Sequence, residues 1–381
     1  MVGAQPAMNP TPILFTIPNF ITAGSGQAML NIIQRLDRER FAPAVCVMKK
    51  GGDLDREVER LGIPFIEAPF TVPAQPYHRL LPRAWKAAQA FRPYRFALWH
   101  SFHYADDYTE PIIARLAGAR AWVYTKKNMN WHRRAWTLRT WLAAGVAAQN
   151  QDMLREFFAA PWFRRKARLI PRGVDTTRFR PAAPANLRLR ERLGIAPGEV
   201  VAACVAHLVP VKGHPTLLQA LAQTPGLRLW IAGKALDEDY AARLQQMTAE
   251  LRLEGRVHFL GGVGDVPALL AEADIFVLPT WGRWRMEGCP VALLEAMACG
   301  VACIATDIPG ARDLLVHQQS GLLVPPEDPA ALSAALSALA QDPALRQGFG
   351  QAARRRVEER YTIEREVADH QALYQEILGR D

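Results

Sequence analysis

The stretch WRMEGCPVALLEAMACG, residues 284–300, decides how this chain reads. It carries two glutamates, Glu287 and Glu295, with seven residues between them. Glu295 stands in an otherwise apolar run, Val291-Ala292-Leu293-Leu294 before it and Ala296-Met297-Ala298 after it. A carboxylate in such a run is costly unless something pairs with it. Pro290 and Gly288 predict that a helix begins near residue 290, because proline is favoured in a helix's first turn. Glu287 then lies in the loop before the helix and Glu295 in its second turn. Both can look toward the space above the helix N-terminus, where free N–H groups and a partial positive charge suit a phosphate. A carboxylate also accepts hydrogen bonds from vicinal hydroxyls. The arrangement can therefore hold a sugar nucleotide, with phosphates at the helix start (Gly288, Cys289, Pro290, Val291), a ribose on Glu295 and a sugar near Glu287. The spacing alone is a weak signal, and one glutamate at a helix start with another on its exposed edge is the commoner arrangement.

Outward from this stretch, short apolar strands alternate with amphipathic helices. In the first half, strands are expected over 13–17, 44–48, 96–100, 121–124 and 145–149, and helices over 27–36 and 54–61. The pattern restarts with strands over 200–205, 228–232, 257–260, 275–278 and 302–305. The helices of this second series are expected over 215–222, 239–251, 266–271, 291–299 and 329–340, with a tail helix from about Glu364. Such βαβ patterning implies parallel sheets covered by helices on both faces. Between the series, RLIPRGVDTTRFRPAAPANLRLR (168–190) is broken by Pro171, Gly173, Pro181 and Pro184 and is expected to join two domains. The expected division is 1–170, completed by the C-terminal helix at about 362–381, and 171–361. Doubly wound domains bind ligands beyond the carboxyl ends of their strands.

Composition narrows the class. Of 381 residues, 50% are hydrophobic and 22% charged, which fits a soluble globular protein. No segment has the ~18 unbroken apolar residues of a membrane span. The start, MVGAQPAMNPTPILF, has neither the basic nor the apolar region of a signal peptide. Five cysteines without a CxxC pair fit a reduced cytoplasm. The net charge of +9 is uneven: residues 1–170 contribute +12 and the remainder −3. That asymmetry suits an anionic partner, or a solvated arginine-rich surface. Aromatic residues are mixed with basic ones over 76–96, 131–136 and 161–169. Such mixtures suit peripheral contact with an anionic membrane, or ordinary helix packing with solvated arginines. No metal-ligand spacing is present; Asp106 and Asp107 are adjacent rather than spaced as a DxD pair. No G-x-G-x-x-G with a following acid supports a dinucleotide site, and no nucleic-acid motif is found.

Residues 286–332, MEGCPVALLEAMACGVACIATDIPGARDLLVHQQSGLLVPPEDPAAL, resemble the signature of the retaining glycosyltransferases of family 4, the glycosyl transferases group 1 type. The E-x7-E pair is its centre. ADIFVLP (273–279), RVHFLG (256–261) and IPRGVDTTRF (170–179) extend the likeness, with Arg172 in place of the usual asparagine. The resemblance is dense over 168–332, and the N-terminal half matches in outline only. It implies an α/β fold of GT-B architecture, two Rossmann-like doubly wound domains facing a central cleft, the first acceptor-side and the second binding the donor. It implies retaining, metal-independent transfer of a sugar from a nucleoside diphosphate sugar to a saccharide or lipid-linked acceptor. No cofactor beyond that donor substrate is expected. The setting would be polysaccharide, lipopolysaccharide or glycolipid synthesis, in the cytoplasm or at the inner face of the membrane. A nucleotide-sugar epimerase, a phosphorylase and a non-catalytic sugar-nucleotide-binding subunit share enough of this plan to stand as alternatives.

The resemblance also assigns roles. Glu295 would grip the donor ribose and Glu287 the donor sugar. In AHLVPVKG (206–213), Lys212 would neutralise the leaving diphosphate. His207 stands where the family has an arginine, and an imidazole carries full charge only if its pKa rises. In ITAGSGQAML (21–30), Gly24 and Gly26 would let backbone amides approach the phosphates. The family's N-domain histidine has no clear counterpart. His103, rather than His100, is the catalytic candidate, and Lys126 and Lys127 are acceptor-side candidates. Of the family's glycine-rich turn only Gly233 remains, followed by Lys234, and Gly310 is expected to open a further helix.

Overall fold

The computed structural model describes residues 9–21, 23–131, 133–181, 187–282 and 287–379. They form two α/β units. The first comprises Met1–Lys127, Trp131–Pro171 and Glu364–Asp381; the second comprises Asn128–Asn130 and Arg172–Ile363.

The first unit has a parallel sheet of β1 (Thr11–Ile17), β2 (Phe41–Val47), β3 (Phe65–Glu67), β4 (Leu98–Ser101), β5 (Ala121–Lys126), β6 (Gly145–Ala148) and β7 (Ala167–Leu169), in the order β3-β2-β1-β4-β5-β6-β7. The central strands are buried from end to end, as expected when helices cover both faces of a parallel sheet. The tail helix Ile363–Leu378 packs on this sheet. The Tyr374 hydroxyl meets His100 Nδ1 at 2.6 Å, and Gln371 accepts from the Asp37 amide at 2.8 Å. Gly145 leaves room for this helix: a Cβ there would stand 2.5 Å from Ile377 Cδ1.

The second unit has β8 (Val200–Val205), β9 (Leu227–Ala232), β10 (Val257–Gly261), β11 (Ile275–Leu278), β12 (Ala302–Thr306) and β13 (Leu322–Val324), ordered β10-β9-β8-β11-β12-β13 and parallel. Alternation along the strands sends side chains to two cores. Phe276, Leu278, Cys303 and Ala305 join Leu294, Met297, Ala353 and Val357 on one face. Ile275, Val277 and Ile304 join Leu217, Leu221, Leu244 and Leu336 on the other. Arg354 ties this unit's N-terminal segment to the helix Val291–Ala298, donating to the Phe179 and Ala298 carbonyls at 2.7 Å each.

The strands read from the sequence are present with ends shifted by a few residues. The first helix differs more. It begins at Ala23, four residues before the expected start, so Gly24 and Gly26 occupy its first turn rather than a loop. Thr22 of that motif and residues 284–286 of the opening stretch lie outside the described residues.

Candidate active site

Each sheet reverses its winding once: between β1 and β4 in the first unit and between β8 and β11 in the second. A crevice at the carboxyl ends of the strands is expected at each reversal. In the second unit the predicted residues converge there. After β8 the chain makes a one-turn helix, Pro210–Lys212, which ends at Gly213 with φ +70°. A Cβ at Gly213 would lie 1.9 Å from the Pro279 carbonyl oxygen, so only glycine lets this turn close on the end of β11. The turn delivers Lys212. Glu287 follows β11, its backbone bridged to Asn128, and Lys212 Nζ donates to Glu287 Oε1 in a half-buried ion pair.

The helix Val291–Ala298 begins directly beyond Glu287, with Pro290 as its cap residue and no side chain capping it. Among the described residues, its first amides therefore have no intrahelical or capping side-chain partner, the arrangement that receives anions. Gly310 keeps the approach close: a Cβ there would stand 2.6 Å from the Gly288 carbonyl. The helix after it runs Ala311–Leu314, as the sequence led one to expect.

Glu295 lies one turn into this helix. It keeps some exposed surface but is densely surrounded, and burial pushes its carboxyl up to about 7, with Arg178 pulling it down. Arg178 is exposed and follows a turn in which Asp175 accepts from the Thr177 and Arg178 amides at 3.0 and 3.2 Å. No pattern in the sequence links Arg178 to Glu295. Arg172, which replaces the family's asparagine, is buried.

His207 follows β8 and its Nδ1 is buried without a hydrogen-bond partner among the described residues. Burial lowers its pKa, and Lys212 and Lys234 lower it further. The imidazole is therefore neutral and does not replace the charge of an arginine. Lys234, in the turn after β9, supplies a cation within electrostatic reach of the same place.

In the first unit, Gly24 opens onto free space, whereas a Cβ on Gly26 would meet Phe20 Cδ1 at 2.7 Å. Gly26 is thus needed for packing, and both place amides in a helix's unpaired first turn. His103 follows β4. Burial, with Arg139 and Lys127, lowers its pKa to about 3, so it is a neutral ring at working pH. Its Nδ1 has no partner among the described residues. His100 is a core residue, bonded to Tyr374 and, at 2.9 Å, to Thr125 Oγ1.

Sequence reasoning missed the groups that hold this strand end. Glu110 and Arg139 form a fully buried pair at 3.5 Å. Glu110 accepts from Trp99 Nε1 at 3.1 Å and Ser101 Oγ at 2.6 Å. Arg139 donates to Ser101 Oγ at 3.0 Å, to the His103 carbonyl at 3.4 Å and to the Asp107 carbonyl. The available signals were slight: Glu110 stands in the first turn of the helix Thr109–Leu116, where an acid is ordinary, and Arg139 is one of three arginines in Arg133–Leu142.

Lys126 requires a correction. It is the last residue of β5, wholly buried, with Nζ 4.1 Å from the Trp136 ring centroid and 5.4 Å from that of Phe157. It does not reach solvent, so it leaves the acceptor-facing set. Burial lowers its pKa to about 7. Lys127 is half-buried, and its Nζ donates to the Phe102 carbonyl.

Known proteins resemble this chain in sequence and in fold. The family model described as Glycosyl transferases group 1 matches residues 186–356, and that described as Glycosyltransferase Family 4 matches residues 22–178. A GDP-mannose-dependent alpha-(1-6)-phosphatidylinositol monomannoside mannosyltransferase of Mycolicibacterium smegmatis is 36% identical over 194 residues, 49% of this chain and 50% of that protein. The chain thus spans about half the length of the curated relatives it matches. Among solved structures, a glycosyltransferase of Rickettsia africae superposes with a TM-score of 0.86 at 19% identity, over 98% of this chain and 100% of its own. The HepE protein of Anabaena, solved with UDP and glucose, superposes with a TM-score of 0.81 at 23% identity, over 96% of this chain and 100% of its own. These two likenesses establish the fold, a pair of Rossmann-like units of GT-B type.

Proposed function

We propose that this chain, which belongs to the family 4 glycosyltransferases, transfers a sugar from a nucleoside diphosphate sugar to an acceptor hydroxyl with retention of anomeric configuration. The observation that carries this reading is the convergence of Lys212, Glu287 and an uncapped helix start at one sheet reversal, with Glu295 one turn beyond. The diphosphate would rest on the first amides of the helix Val291–Ala298 and on Lys212. The ribose hydroxyls would donate to Glu295, and the sugar would lie beside Glu287.

In the reaction, the bond from the anomeric carbon to the phosphate oxygen breaks. A bond to the acceptor oxygen forms on the same face, and the acceptor proton passes to the departing phosphate. The protein supplies position and fixed positive charge, and charge placed where the leaving group develops is among the strongest contributions a site can make. Lys212 and the helix amides meet that charge without a metal ion, so activity should persist in EDTA. The neutral His103 would offer a hydrogen bond to a hydroxyl rather than act as a base.

The GDP-mannose-dependent relatives make GDP-mannose the first donor to test, and the HepE structure with UDP-glucose makes that donor the second. The acceptor would be a saccharide or lipid-linked saccharide of the cell envelope. Contact with an anionic membrane is supported by the helix Leu80–Ala88, which buries Ala84, Ala87 and Ala88 while leaving Leu81 and Trp85 62% and 49% exposed. Five Arg/Lys and no Asp/Glu occur over residues 68–105. Leu138 and Trp141 line a second exposed apolar hollow, with Arg134 beside them.

The test is nucleoside diphosphate release from each donor, with and without a lipid extract. Acceptor-dependent release that falls sharply in Lys212→Ala and Glu295→Ala supports the reading; near-wild-type turnover in both at low donor concentration overturns it. The neutral His207 and His103 favour one alternative, a donor-binding subunit without turnover. Tight nucleotide binding with no release on any acceptor would establish that alternative instead.

A further inference from the structure

Lys212 and Glu287 come from the ends of two different strands, and each has its own expected task, one on the diphosphate and one on the sugar. Their side chains nevertheless hold each other, retaining 16% and 29% of their exposure. We propose that Glu287 is a built-in competitor for Lys212: a diphosphate reaches the ammonium only by displacing this carboxylate, and the displacement releases Glu287 toward the sugar. This rests on the donor-site reading given under Proposed function.

The exchange is physically reasonable. A diphosphate brings more negative charge and more acceptor oxygens than one carboxylate, so it outcompetes Glu287 for the lysine. A carboxylate left beside a diphosphate is repelled unless it turns to hydrogen-bond donors. The hydroxyls of the donor sugar are such donors. The backbone of Glu287 is anchored by its bridge to Asn128, so a side-chain rotation suffices. Among the described residues, the other titratable groups electrostatically coupled to Lys212 are His207 and His214, both neutral rings, and the buried Cys204 thiol, with Lys234 beside His207.

The consequence is discrimination between donor and product. An intact sugar nucleotide gives the freed Glu287 a partner. A nucleoside diphosphate without its sugar does not, so the carboxylate returns to Lys212 and helps expel it. The clasp would raise the off-rate of product while costing the donor little.

Calorimetric titration of the full chain with GDP, UDP and inorganic pyrophosphate tests this. Glu287→Gln should bind the recognised diphosphate about three- to tenfold more tightly than the wild type, the range expected for releasing a half-buried ion pair. Lys212→Ala should bind it more weakly, and in the Lys212→Ala background Glu287→Gln should produce no tightening. If Lys212→Ala weakens binding but Glu287→Gln does not tighten it, the competitor role is overturned while the donor site stands. If Glu287→Gln tightens equally in both backgrounds, the carboxylate repels diphosphate through space and the clasp is again overturned. If Lys212→Ala leaves binding unchanged for every probe, the donor-site reading itself fails.

Discussion

Arg139 and Glu110 pair at 3.5 Å with neither side chain exposed, directly beneath the end of β4. Burial raises the Glu110 pKa, while Arg139 and the Ser101 and Thr16 hydroxyls pull it down. Removing one partner strands the other charge in the core, at a typical cost of about 3–5 kcal/mol. Glu110→Leu and Arg139→Met should each lower the denaturation midpoint strongly. The double variant should be less destabilised than the sum of the two, and a double-mutant cycle in urea measures that coupling.

Gly213 sets the position of Lys212. Gly213→Ala would put a methyl group into the Pro279 carbonyl and force a positive φ on a residue with a side chain. We expect a loss of about 2 kcal/mol or more in stability, and nucleotide binding weaker than in the wild type even where the protein remains folded. Chemical denaturation followed by titration with GDP and UDP separates the two effects.

Glu295 makes donor binding depend on pH. With its pKa raised to about 7, the carboxyl is protonated below that value and gives up one acceptor for the ribose. Affinity for nucleotide should therefore fall as pH drops from 8 to 6, at most about tenfold per unit. Arg178→Ala removes the charge that opposes the shift and should move the inflection upward; Glu295→Gln should abolish it. The effect on folding has the opposite sign. A carboxyl raised in the folded state stabilises the fold at low pH, and that contribution is lost as pH rises through about 7. Binding isotherms and urea melts across this range read the two signs separately.

The apolar and basic face of the first unit predicts association with anionic vesicles. Co-sedimentation with phosphatidylglycerol vesicles should exceed that with phosphatidylcholine and decline with salt. Leu81→Ser/Trp85→Ser should reduce it without affecting nucleotide binding. Equal recovery with both lipids, or no change in the double variant, would remove the membrane contact.

Much of this was legible in the sequence, because strands of a parallel sheet buried on both faces read as uninterrupted apolar runs. Ile275–Leu278 and Val200–Val205 were placed to the residue for that reason. Edge strands of three residues, Phe65–Glu67, Ala167–Leu169 and Leu322–Val324, leave too short a pattern to separate from loop. The helix Leu80–Ala88 was hidden by Pro82, its two basic residues and the exposed Trp85, and Arg133–Leu142 by its three arginines and the exposed Trp141. The candidates Lys212, Glu287 and Glu295 were singled out by the family resemblance, the two glutamates through the E-x7-E spacing and Lys212 through AHLVPVKG. The burial of Lys126, the neutrality of His103 and the Glu110–Arg139 pair depend on what surrounds each side chain. Residues distant in sequence supply those surroundings, and no local pattern encodes them.

The most direct measurement is a crystal structure of the protein with its preferred nucleoside diphosphate, GDP and UDP being tried first. The diphosphate should sit on the amides at the start of Val291–Ala298 with Lys212 turned onto it, and both ribose hydroxyls should reach Glu295. A nucleotide bound elsewhere, or in place with its ribose away from Glu295, would contradict the account.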